Sequence, residues 1–97
     1  MAAIFADLDG TTFQWGTNTF LPGAQERLQK LYDQGNQLIF VTRRNESRWL
    51  PSAKMLLQSL FPDCIVLHDI QSPRIVINDE GAMAINHPRD TAWTYEF

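Results

Sequence analysis

Two aspartates one residue apart, Asp7 and Asp9, followed at once by Gly10 and Thr11, are the residues of this 97-residue chain whose types and spacing most directly promise chemistry. They close a short apolar run, and in an extended strand residues i and i+2 point the same way. Both carboxylates therefore emerge together where the strand gives out. Like charges held that close repel unless a cation stands between them, and a hard divalent ion with oxygen ligands suits the position. A chance D-x-D-G-T occurs on the order of once per thousand chains of this length. The pattern is not a calcium loop, which needs glycine at its sixth position; here Thr12 occupies that place and Gly10 the fourth. Asp-Gly also marks ordinary strand-to-turn boundaries, so a plain turn is the competing reading.

The elements that must position these residues follow in order. Residues 3–6 are short and uniformly apolar, the pattern of a central strand covered on both faces. Residues 12–21, with Gly16, Asn18, Phe13, Trp15 and Phe20, show no period and predict a flap packed by its own rings over the strand end. Pro22 and Gly23 open a helix in which Ala24, Leu28 and Leu31 recur at i, i+4 and i+7, and Gly35 stops it. Residues 37–41, Q-L-I-F-V, read as a second buried strand, so a right-handed crossover should make the two strands parallel. A polar stretch with Arg48 and Trp49 leads into a second helix at 51–60, whose Met55, Leu56 and Leu60 are expected to face inward. Residues 64–67 predict a third strand, 74–77 (R-I-V-I) a fourth and 82–86 a brief fifth at an edge; residues 87–97 read as irregular.

The formal charge of −3 argues against a nucleic-acid or membrane-surface partner. Cys64 is alone in an apolar run, which suits a buried thiol in a reducing, cytoplasmic compartment. The amino end shows no targeting peptide, and no stretch approaches the ~20 apolar residues of a membrane span. Asn45-Glu46-Ser47 matches a glycosylation sequon, read as chance without a secretory signal.

In a parallel sheet with short loops, the carboxyl ends of the strands share one edge. Three strands end in polar residues: Asp7 and Asp9, then Thr42 with Arg43 and Arg44, then Asn78, Asp79 and Glu80. The topology should gather them into one crevice.

On these residues the chain resembles the haloacid dehalogenase-like (HAD) hydrolases, particularly their small, capless members. Asp7-Leu8-Asp9-Gly10-Thr11 matches the family's first motif, Thr42 after an apolar strand the second, and Asn78-Asp79 after I-V-I falls where the acidic fourth motif belongs. The resemblance covers nearly the whole chain. It implies a single α/β domain over residues 1–97, a three-layer, Rossmann-like, doubly wound and mostly parallel sheet of about five strands with minimal or no cap. It also implies a magnesium-dependent phosphohydrolase of small phosphomonoesters. Asp7 would be the nucleophile that forms an aspartyl-phosphate, and Asp9 the general acid and then base. Mg2+ would be held by Asp7, the backbone carbonyl of Asp9 and Asp79, with Asn78 as a further ligand. Gly10, Thr11, Thr42, Arg43, Arg44 and Arg74 would bind phosphate, helped by backbone N–H groups exposed after Asp9.

The family usually places a lysine before the fourth strand, and residues 69–73 contain none. Arg74 or Arg44 would substitute, since a guanidinium binds phosphate well. Glu80 either restores the charge lost at Asn78 or faces solvent. His68 and His87 read as structural or catalytic, and Trp15, Trp49 and Trp93 as packing or as platforms for a ring. Two other functions stay open: a metal- or phosphate-binding module with weak or no catalysis, and an interaction protein with an incidental Asp-rich turn. With no cap the site should be open, which leaves room for a lid from a second subunit in a homo-oligomer.

Overall fold

The structure, a computed structural model, describes residues 1–45 and 50–97. Its frame is β1 (Ala3–Asp7), α1 (Ala24–Asp33), β2 (Gln37–Val41), α2 (Leu50–Leu60) and β3 (Ile65–Leu67). The strands form one parallel sheet in the order β1-β2-β3, paired from Ala3↔Gln37 to Asp7↔Val41 and from Ile39↔Ile65 to Val41↔Leu67.

Paired residues share a face of the sheet, so the register sorts the side chains. Ile4, Ala6, Leu38, Phe40 and Val66 lie on one face. There Ala24, Leu28 and Leu31 of α1 meet Ala53 and Leu57 of α2 and Phe61 in a single core, with Phe40 stacked on Phe61 at 6.0 Å. Each fully buried Leu or Phe contributes about 1.5–3 kcal/mol. The opposite face carries Phe5, Ile39 and Ile65, and it is open enough that Phe5 is 66 % exposed and Ile65 40 %.

The five-stranded, three-layer, doubly wound sheet is thus not what forms. Successive right-handed crossovers that always step the same way put both helices on the same side, and a double winding needs a reversal of strand order. Here β1, β2 and β3 follow in sequence, so the sheet has two layers and β1 is an edge strand rather than a central one. Residues 74–77 and 82–86 form no strand; Ile75, Val76 and Ile77 are 88, 78 and 94 % exposed. Strand propensity measures fit to a packed, pleated surface, and these residues have none to pack on.

The first helix matches its spacing, with Ala24, Leu28 and Leu31 buried. Gly23 before it has φ +82°, and a Cβ there would lie 2.6 Å from the Trp93 carbonyl oxygen. The second helix turns a different face inward: Leu50, Ala53 and Leu57 are buried, Leu56 and Leu60 half-buried, and Met55 is 73 % exposed. The polar residues 46–49 before it, with Arg48, Trp49 and most of the sequon, lie outside the described residues.

Residues 87–97 are irregular but docked. Trp93 is buried, its backbone N–H donating to the Pro22 carbonyl at 2.8 Å and its Nε1–H to the Thr11 carbonyl at 2.5 Å. Arg27 Nε–H reaches the Tyr95 carbonyl at 2.7 Å. Among the described residues no helix is long and apolar enough to cross a membrane.

Candidate functional site

The sheet continues one residue past β1, where Leu8 N–H donates to the Val41 carbonyl at 3.2 Å, and then the chain turns. The N–H groups of Thr11, Thr12 and Phe13 all converge on the Leu8 carbonyl, and that of Gly10 donates to Phe13 at 2.8 Å. Gly10 has φ +82°, and a Cβ there would meet Arg89 Cγ at 2.9 Å and Trp15 Cε3 at 3.2 Å. Left-handed backbone and close approach both demand glycine. The turn engages the N–H groups expected to stay exposed for phosphate, so they bind the chain itself.

Each aspartate meets an arginine. Arg74 Nη1 donates to Asp7 Oδ1 at 2.6 Å, and the Thr11 hydroxyl to Asp7 Oδ2 at 3.2 Å. Arg44 holds Asp9 through Nε to Oδ2 at 3.0 Å and Nη2 to Oδ1 at 2.7 Å. Arg44 also donates from Nη1 to Asn18 Oδ1 and from Nη2 to the Thr17 carbonyl, both at 2.5 Å, and the Gly16 N–H reaches Asp9 Oδ1 at 3.2 Å. One buried guanidinium therefore pins the flap to the end of β1. Beneath it Phe13, fully buried and edge-on to Phe20 at 4.9 Å, anchors the flap in the core as its aromatic content predicts.

Thr42 is 1 % exposed and its hydroxyl accepts the Arg44 backbone N–H at 3.0 Å. It shapes the turn that aims Arg44 and does not line the pocket. That pocket, about 290 Å³, is walled by Asp7, Asp9, Gly10 and Thr11 on the strand side. Arg43, Trp15 and Arg89 also line it, Arg89 lying over the Trp15 ring with its Cζ 4.3 Å from the centroid. Spacing gave no signal for Arg89: it sits in an aperiodic segment some eighty positions from Gly10. Neither histidine lines the pocket; His68 pairs with Asp69 at 2.6 Å, and His87 bonds Thr91 and the Tyr95 hydroxyl.

The expected third acid is not brought to this place. Asn78, Asp79 and Glu80 are exposed and do not line the pocket, because the segment that carries them has not joined the sheet. Among the described residues no three His, Cys, Asp or Glu side chains converge as a metal would need. Asp7 and Asp9 each already face a guanidinium, Arg74 and Arg44 respectively, so the cation beside each carboxylate is an arginine. These residues as placed do not fit a magnesium site.

In comparisons with models of protein families, with curated proteins and with solved structures, nothing matches this chain.

Proposed function

We propose that the chain is a phosphomonoester hydrolase that works, in the manner of the HAD hydrolases its first motif resembles, through an aspartyl-phosphate on Asp7. The single observation that carries the reading is one pocket at the end of a strand lined by two carboxylates and by two arginines, Arg43 and Arg89, that form no ion pair among the described residues. A phosphate dianion is drawn in by Arg43, while Arg74 beside Asp7 offsets the repulsion between nucleophile and phosphoryl oxygens. An Asp7 oxygen attacks phosphorus, the ester P–O bond breaks, and the leaving oxygen takes a proton from Asp9. Water then attacks phosphorus, giving its proton to Asp9, and the bond to Asp7 breaks to release phosphate. Arg44 must yield one Asp9 oxygen in each turnover, because it occupies both at rest. Arg74 retains a buried Nε–H with no acceptor among the described residues, a donor beside Asp7 open to a ligand. The buried, unpaired Cys64 supports a reducing, cytoplasmic setting as part of the same proposal.

Asp7→Asn, compared with the parent on an aryl phosphate in magnesium-containing buffer, is expected to abolish phosphate release with the fold retained. Equal turnover by both, in preparations free of other phosphatases, would falsify the nucleophile assignment. The grip of Arg44 on both Asp9 oxygens favours a second reading, a phosphate-binding module. That protein would gain thermal stability from inorganic phosphate and release none from any ester.

A further inference from the structure

We propose that the ester entering this pocket carries a second anionic group on its leaving side, a carboxylate or another phosphate, and that Arg89 binds it. The inference rests on the phosphohydrolase reading. Four guanidiniums stand around two carboxylates. Arg44 and Arg74 are each tied to one aspartate. Arg43 and Arg89 line the same pocket and form no ion pair among the described residues. Two positive charges are therefore left for a ligand, and they arrive from different parts of the chain. Arg43 directly follows Thr42 at the end of β2, on the same sheet edge as Asp7, where it serves the reacting phosphoryl group. Arg89 arrives from the carboxyl-terminal segment, with its stem against Gly10 and its guanidinium over Trp15.

Arg89 is also held in place. Its guanidinium stacks on the Trp15 ring, and its stem packs against Gly10, where a Cβ would come within 2.9 Å of Cγ. The platform is itself fixed, since Trp15 N–H donates to Asp90 Oδ1 at 2.8 Å and Asp90 N–H to the Gly10 carbonyl at 2.9 Å. A stacked guanidinium has its plane set while its N–H edge stays available to an anion. That is the form of a specificity contact: a leaving group with no charge gives Arg89 nothing to bind.

Three esters of one length test it: propyl phosphate, 3-phosphooxypropanoate and 1,3-propanediol bisphosphate. The parent should turn over at least one anionic ester with kcat/KM roughly tenfold above propyl phosphate, mostly through KM. Whichever anionic ester leads identifies the second group. In Arg89→Gln that ratio should collapse toward one, Arg89→Lys should restore part of it, and Trp15→Leu should lower it a few-fold. Arg43→Gln should instead lower all three esters alike. A parent ratio near one, or a ratio that survives Arg89→Gln, overturns the proposal. If no ester is hydrolysed, the same comparison is read as thermal stabilisation by each ester. A larger shift from the anionic pair, lost in Arg89→Gln, keeps the ligand class while the reaction falls. No difference in shift removes both.

Discussion

Arg44 and Asp9 meet through two hydrogen bonds at 3.0 and 2.7 Å, with 6 and 21 % of their side-chain surfaces left to solvent. So little water is a weak screen, and removing one partner strands the other charge. Arg44→Ala is expected to lower unfolding free energy by about 3 kcal/mol, since the bonds to Asn18 and Thr17 go with it. Arg44→Lys should recover little, because an ammonium cannot reproduce the fork. Urea unfolding measures both, and a loss below about 1 kcal/mol for Arg44→Ala would contradict the clamp.

Trp93 ties the last eleven residues to the flap and to the start of α1. Trp93→Ala should cost about 3–5 kcal/mol, as for other buried aromatic truncations. Trp93→Phe keeps most of the ring but leaves the Thr11 carbonyl unmatched, and about 1 kcal/mol is expected. Calorimetric melting separates the two; equal losses would mean that the indole N–H counts for nothing.

The inward face of α2 gives a sharp contrast. Leu57 is fully buried and Met55 is 73 % exposed. Leu57→Ala should destabilise by about 2–5 kcal/mol and Met55→Ala by less than about 0.5 kcal/mol. A reversed order in denaturant midpoints would mean that the helix is rotated about its axis.

Alkaline stability should report two groups. Burial pushes the Cys64 thiol up from its usual 9.0, and a hydrogen bond to the Asp63 carboxylate pushes the Tyr32 phenol up from 10.0. Each holds its proton more tightly folded than unfolded. Their stabilising effect is therefore complete below the unfolded values and lost as pH climbs through the folded ones. Urea midpoints should begin to fall above the unfolded thiol's 9.0, and Cys64→Ala should make the early part of that fall shallower. A midpoint that rises in this range would overturn the assignment.

Much of the frame was legible before folding because local rules decide it. The stripe Ala24, Leu28, Leu31 and the stop at Gly35 place α1, and the run from Gln37 to Val41 is a buried strand by composition alone. The Asp7–Asp9 spacing likewise predicts two carboxylates at a strand end, and β1–β2 pairing accounts for Arg44 meeting Asp9. What local rules do not encode is partnership. Ile75, Val76 and Ile77 have strand chemistry, yet a strand exists only where an edge accepts it. Asp79 stands exposed and outside the pocket lining for the same reason. Arg89 was invisible for a related reason: its place depends on Trp93 docking, a contact set by tertiary packing. For α2 the interval between apolar residues was right but the phase was not, because Met55 and Leu57 are equally apolar on paper.

Ile75, Val76 and Ile77 stand bare in solvent, and no strand among the described residues covers the outer edge of β1. A bare aliphatic run and an open ladder are the two halves of cross-chain aggregation, which proteins ordinarily block with a lysine or a proline at the edge. The chain's two lysines, Lys30 and Lys54, both lie on helices, far in sequence from where they would protect. Solubility, more than folding strength, is what should limit how far this protein can be concentrated.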